Sequence, residues 1–178
     1  NPEKPTFIDL EPLPPNHPEE KMALATPFAI EVTNDDSTLV VSAAGSDKIF
    51  TVDTKSGQVL SRAAVGAVPR GIALADSAPG KQTEAWVLNA VANTVSLVDI
   101  SNRSALKPIA TVTLEDPTDP QVKQGRIAFN TASASTTGTF SCASCHPDGH
   151  TDQLLWVLKT PIVSGGDQIM PRSTMPIR

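Results

Sequence analysis

Two stretches decide the fold: "LVVSAAGSDKIFTVD" (Leu39–Asp53) and "AWVLNAVANTVSLVD" (Ala85–Asp99). They align without a gap at a shift of 46 residues. Ile49 and Val52 of the first fall on Val95 and Val98 of the second, and the pair ends on Asp53 and Asp99. Self-similarity at a fixed period marks a repeat architecture, in which each unit buries its apolar face on a neighbour. Working outward, Pro27 opens the first unit and Pro69 the second, 42 residues on. A loop around "DSAPGKQTE" (76–84) is expected to absorb the difference.

Each unit reads as four strands. The first four are expected at 28–33, 38–43, 48–53 and 58–63, the second four at 71–75, 84–89, 94–99 and 109–113. Val and Ile dominate these segments, and turn-forming residues separate them: "TNDDS", "AGSD", "TKSG", "ISNRS". Asp53 and Asp99 each end a third strand, where a carboxylate bonds the amides of the following turn. That is a structural role, since a catalytic group would not recur in every repeat. Four short strands in ~40–45 residues is the period of a β-propeller blade.

The composition agrees. Of 178 residues, 39% are hydrophobic and 4% aromatic, with no Tyr, so the core is packed from small side chains. Sixteen prolines and ten glycines predict short elements and many turns. A net charge of -5, without a basic run, argues against nucleic acid, whose binding needs a clustered positive surface. No apolar run approaches a membrane span. Residues 1–26 are proline-rich and lack a signal-peptide core, so they are expected to be extended, in a mature chain whose signal has been removed. His17, within them, reads as an exposed residue of no special role.

Both cysteines lie in "FSCASCHPDGH" (140–150), as Cys142, Cys145 and His146 in a C-x-x-C-H order. This is the attachment sequence of a c-type haem. Two thiols at that spacing reach the two vinyl groups of one porphyrin, and the adjoining His lies under the iron. Other readings exist. A Cys-x-x-Cys disulfide leaves His146 unexplained. A zinc knuckle drawing on His146 and His150 lacks the dozen-residue spacer that lets a chain fold around the ion. Chance placement of two cysteines in this order is improbable. Upstream, Asp119 as a helix cap and Pro120 at the first helical position predict a helix bearing Gly125 and Phe129 on one face. The alternative is that "GRIAF" opens a third blade, as "RGIALA" opens the second.

Several of these features carry a resemblance. The 27–114 repeat is similar to the YVTN-type blade of bacterial propellers. The helix with Gly125 and Phe129 resembles the N-terminal helix of cytochromes c, where the glycine permits a close helix crossing. "CASCHPDGHTDQLLWVL" and "PRSTMPIR" resemble exported bacterial proteins that join such blades to a haem domain like that of di-haem cytochrome c peroxidases. The matching positions are Pro147, Asp148, Gly149, Asp152 and Trp156, then Arg172, Pro176, Ile177 and Arg178. That family has a second C-x-x-C-H, and this sequence has one.

The resulting expectation is a mainly β protein with incomplete propeller blades and a small α-helical cytochrome c-type domain. Its segments are 1–26, extended; 27–117, two blades; and 118–178, haem-binding. One covalent haem c is expected on Cys142 and Cys145, with His146 as proximal ligand. Met175 or Met170 is the candidate distal ligand. His150 is too close in sequence to His146 to cross the porphyrin, so it reads as a surface or propionate-side residue. Arg172 and Arg178 are candidate propionate contacts. The implied function is electron transfer to a redox partner protein in the bacterial periplasm or at the cell surface, with the blades as docking scaffold and further polypeptide or other chains completing the propeller. The alternatives are a di-haem peroxidase-like oxidoreductase and a propeller binding module.

Overall fold

A computed structural model gives the fold for residues 7–13, 16–162 and 166–177, with the backbone alone for 77, 78, 81, 157–162 and 166–172. The chain divides into two compact units, Asn1–Ser141 and Cys142–Arg178.

The first unit holds two four-stranded sheets. Sheet 1 contains β1 (Pro27–Val32), β2 (Thr38–Ala43), β3 (Lys48–Asp53) and β4 (Val59–Ala64). Sheet 2 contains β5 (Pro69–Ala78), β6 (Lys81–Asn89), β7 (Thr94–Asp99) and β8 (Lys107–Thr113). In both, spatial order equals chain order and every neighbouring pair is antiparallel. Each sheet is therefore a simple meander, as the repeat predicts. One expectation fails. The segment 76–84 is not a loop: β5 and β6 run on through it and turn at Pro79 and Gly80. Gly80 has φ 73, a left-handed value that glycine adopts without steric cost, so the Pro-Gly pair makes a hairpin tip.

The turns repeat as the strands do. Asp47 (φ 53) and Asn93 (φ 56) occupy the same position of the second hairpin in each sheet, and Asp and Asn tolerate left-handed backbone better than most residues. The Asp53 carboxylate accepts from the amides of Lys55 (3.2 Å) and Ser56 (2.7 Å), and Asp99 accepts from that of Ser101 (2.8 Å). The Ser56 amide and hydroxyl hold the Asp53 carboxyl below the usual carboxylate range, and the Ser101 hydroxyl, with the Ser101 amide, does the same for Asp99. The structural role expected of the two aspartates is thus what they perform.

Strand alternation gives each sheet two faces. Val40, Ile49 and Ala63 of sheet 1 pack on Ala85, Val87, Val98 and Ile100 of sheet 2. The opposite face of sheet 1 carries Val41, Ala43, Phe50 and Val52, and the N-terminal segment covers it through Leu10 and Leu24. Residues 7–13 and 16–26 therefore act as a strap over that face.

The helix α1 (Pro120–Asn130) starts as predicted, with Asp119 accepting from the Gln121 (2.9 Å) and Val122 (3.3 Å) amides. Ile127 packs on Ala44, Val68 and Val91, and Lys123 bonds both Asp116 (2.8 Å) and the Ala92 carbonyl (2.8 Å). The helix thus closes one end of the two sheets. A Cβ at Gly125 would meet nothing within 4 Å among the described residues, which form no close helix crossing there.

The second unit contains one helical turn, α2 (Cys142–Cys145), a 3-10 turn at Pro147–Gly149, and a hairpin of β9 (Leu155–Ile162) and β10 (Gly166–Ser173). β9 and β10 pair antiparallel from Leu155↔Ser173 to Ile162↔Gly166. An α-helical domain was expected over 118–178. Among the described residues the longest helix of that span belongs with the sheets, and the apolar run after the motif pairs as strands.

Candidate functional site

The site is built on α2. In one α-turn, residues three apart share a side of the helix, with Cβ atoms about 5–6 Å apart. Cys142 and Cys145 have this relation, and both are free thiols. The His146 amide donates to the Cys142 carbonyl (3.0 Å), which places the imidazole directly after the turn.

The chain then reverses. Asp148 (φ 51) and Gly149 (φ 81) both adopt left-handed backbone, and the His150 amide donates to the Pro147 carbonyl (3.0 Å). The reversal brings the His150 carbonyl to 2.9 Å from Nδ1 of His146. A carbonyl only accepts, so Nδ1 carries the proton, and the neutral ring keeps its lone pair on Nε2. This is how ligating histidines are commonly oriented: one nitrogen donates to a backbone oxygen and the other meets the metal. His150 serves through its carbonyl, and its side chain is exposed.

Asp152 ties the turn to the rest of the unit. Its amide donates to the Cys145 carbonyl (3.0 Å). Its carboxylate accepts from the Trp156 indole Nε1 (3.0 Å) and the Leu154 amide (3.0 Å). The indole is also 3.1 Å from Oγ1 of Thr174, whose amide donates to Leu154 (3.2 Å) and whose carbonyl accepts from the Thr151 hydroxyl (3.2 Å). The Thr174 hydroxyl is the main cause holding the Asp152 carboxyl below its ordinary range. The Leu154 amide and the Trp156 indole act in the same direction. Burial pushes the Cys145 thiol up, and the Asp152 charge adds to this.

These observations bear on what the motif can hold. Among the described residues no three His, Cys, Asp or Glu groups converge as a metal-ligating set. Two free thiols on one turn are followed by an imidazole whose Nδ1 is engaged.

The other expected residues are placed less fully. Met175 is 76% exposed and directly follows Thr174, so its backbone is fastened near the motif through that residue. Met170 and Arg172 lie in β10, opposite Leu158 and Trp156. Their side chains, and Arg178 altogether, lie outside the described residues. Thr174 and the His150 carbonyl were missed from the sequence. A threonine's bond to an indole 18 residues away leaves no periodic or spacing signal.

No protein-family model matches the chain, and no curated protein sequence does. Among solved structures, the chain is similar to hydrazine synthase from Kuenenia stuttgartiensis, with 28% identity and TM-score 0.44 over 51% of this chain and 24% of that one. It is similar to the periplasmic gluconolactonase of Pseudomonas aeruginosa, with 26% identity and TM-score 0.41 over 52% and 27%. A protein from Lactobacillus plantarum gives 15% identity and TM-score 0.44 over 53% and 28%. The chain therefore spans about a quarter of the length of each of these structures.

Proposed function

We propose that this chain binds one haem c covalently and works as an electron-transfer segment, with its two sheets as β-propeller blades that form a docking scaffold. The observation that carries the reading is the His146 Nδ1 bond to the His150 carbonyl, one helical turn after two free thiols. A haem held there supplies a one-electron Fe(III)/Fe(II) couple. The residues of the chain do the rest. Cys142 and Cys145 would hold the haem through thioether bonds to its two vinyl groups. His146 presents Nε2 in one orientation. Asp152, Trp156 and Thr174 hold the turn, so little reorganisation accompanies a change of charge.

Met175 is the proposed distal ligand and Met170 the alternative. Attachment of this kind takes place outside the cytoplasm, so the chain belongs in the bacterial periplasm or at the cell surface, with a redox protein as its partner.

The test is a pyridine haemochrome assay on the denatured chain after expression with a c-type maturation system. The expected result is a c-type spectrum at one haem per chain, lost in Cys142→Ala/Cys145→Ala. A chain without haem that carries zinc on metal analysis overturns the reading. Met175→Ala is expected to convert a low-spin spectrum to high-spin. A spectrum unchanged in Met175→Ala and changed in Met170→Ala assigns the ligand to Met170 instead.

A further inference from the structure

Within the first unit, three segments meet around a cleft of about 480 Å³. They are the strap turn from His17 to Ala23, the β2–β3 hairpin at Gly45–Lys48, and the hydroxyl-rich run 131–138 that follows α1. Hydrogen bonds fix all three. The Ala132 amide donates to the Gly45 carbonyl (2.8 Å). The Ala25 amide donates to the Ser46 hydroxyl oxygen (2.9 Å). Lys48 Nζ donates to the carbonyls of Ala23 (3.1 Å) and Ser46 (3.4 Å). A Cβ at Gly45 would lie 2.9 Å from Oγ1 of Thr26, so hairpin and strap approach as closely as a glycine allows. The volume is that of a small-molecule site, and such sites are largely formed before a ligand arrives.

The polar groups of the cleft are only partly satisfied. Asp47 accepts from the Val68 amide through Oδ1 (2.9 Å), and among the described residues no donor meets its Oδ2. Lys48 has three hydrogens to donate and two carbonyls to receive them. His17 donates from Nδ1 to the Pro18 carbonyl (2.9 Å), which leaves Nε2 as an acceptor. Burial pushes the Asp47 carboxyl up and pulls the Lys48 ammonium down: both charges are short of water. A neutral hydroxyl replaces that water, as donor to the one and acceptor from the other. A charged ligand does not suit. A cation would face Lys48, and an anion would face Asp47 and Glu19, while Glu20 and Lys21 pair with each other at the exposed rim (3.6 Å). Among the described residues that line the cleft none is Phe or Trp, so a flat aromatic ligand has no ring to stack on.

We propose that this cleft binds a neutral sugar, with Asp47 Oδ2 accepting from one ring hydroxyl, Lys48 Nζ donating to the next, and Thr136 meeting a third from the rim. The inference goes beyond the haem reading and shares no residue with it, so the haemochrome assay and the test of the cleft fail independently.

Glucose, glucosamine and glucuronate share one ring and differ in charge, so they are the probes. Each is titrated into the isotope-labelled full chain and followed by amide NMR shifts. The expected result is saturable shifts confined to residues 17–23, 45–48 and 131–138, with glucose binding more tightly than either charged sugar. Asp47→Asn keeps the turn, because Asn93 holds the corresponding position of sheet 2 at φ 56, and it keeps an Oδ1 for the Val68 amide. It should weaken glucose binding about tenfold, the scale of a hydrogen bond to a charged group. Thr136→Val, on the exposed rim, should weaken it a few-fold and leave the fold intact. If Asp47→Asn loses the native amide spectrum, Thr136→Val decides. No saturable shift with any of the three sugars overturns the proposal, and so do shifts scattered beyond these segments. Tighter binding of glucosamine or glucuronate than of glucose overturns it too, as does a glucose affinity that folded variants share with the parent.

Discussion

Sheet 1 and sheet 2 share a backbone and differ in what covers them. Their second hairpins place Asp47 and Asn93 at φ 53 and φ 56, and their third strands end on Asp53 and Asp99, which bond the next turn. Their side chains part company where the neighbours differ. Phe50, buried beneath the strap, corresponds to Ser96, and Ala43 corresponds to Asn89. Asn89 is fully buried, with Nδ2 donating to the hydroxyls of Thr94 (2.9 Å) and Ser96 (2.8 Å). Turn chemistry and alternation thus fix the repeat, while side-chain size and polarity record the identity of the neighbour.

The largest effect that can break this comparison is Phe50→Ala. Removing a fully buried aromatic leaves a cavity and is expected to cost about 3–5 kcal/mol, read as a fall in the urea midpoint. Gly66→Ala should follow. A Cβ there would lie 2.7 Å from Cγ and Nδ2 of Asn89 and from Oγ1 of Thr94, an overpacking expected to cost about 1–3 kcal/mol. Adding Asn89→Ala should recover part of that loss, because the two side chains share one space. Ser96→Ala removes one hydrogen-bond partner and should cost only about 1 kcal/mol. Equal losses for Phe50→Ala and Ser96→Ala would show that the two positions experience the same packing, against the structure.

The sheets were legible because their signal is local. Alternation, turn residues and the 46-residue shift set β2, β3 and β7 to the residue and the other strands to within a few. The β5–β6 hairpin was not, since "DSAPGKQTE" is polar and its Pro-Gly pair reads equally as loop or tip. Asp119 and Pro120 announced α1 correctly, yet nothing in "GRIAF" says that the helix packs on Ala44, Val68 and Val91. In the second unit, C-x-x-C-H was legible as a motif because it is contiguous. The β9–β10 hairpin was hidden by reading that region through a resemblance and not through its own apolar run, Leu154–Leu158. The bonds that orient His146 and anchor Trp156 join residues up to 18 apart through single backbone or hydroxyl atoms, and no sequence pattern encodes these.

The finest test of the comparison is acid. The first hairpin of sheet 1 carries Asp35, and the corresponding position of sheet 2 is Lys81. Asp35 accepts from the Thr33 hydroxyl (2.6 Å), the Ser37 hydroxyl (2.9 Å) and the Ser37 amide (3.2 Å). These bonds, the Thr33 hydroxyl foremost, hold its carboxyl at about 2 against an ordinary 3.8. A carboxyl depressed by folding contributes stability that is complete above its unfolded value and is lost as pH falls through the folded one. The contribution of Asp35 should therefore be intact at pH 5 and disappear between about pH 4 and pH 2. Asp116, held at about 2 chiefly by Lys123, titrates in the same window outside both sheets, so the whole-protein midpoint in Asp35→Asn should fall less steeply than in the parent but should still fall. Hydrogen exchange separates the two sources: in the parent, amides of β1 and β2 should lose protection over this window ahead of those of β5 and β6. If Asp35→Asn leaves the order and pH of these losses unchanged, the acid sensitivity of sheet 1 does not reside in its first hairpin.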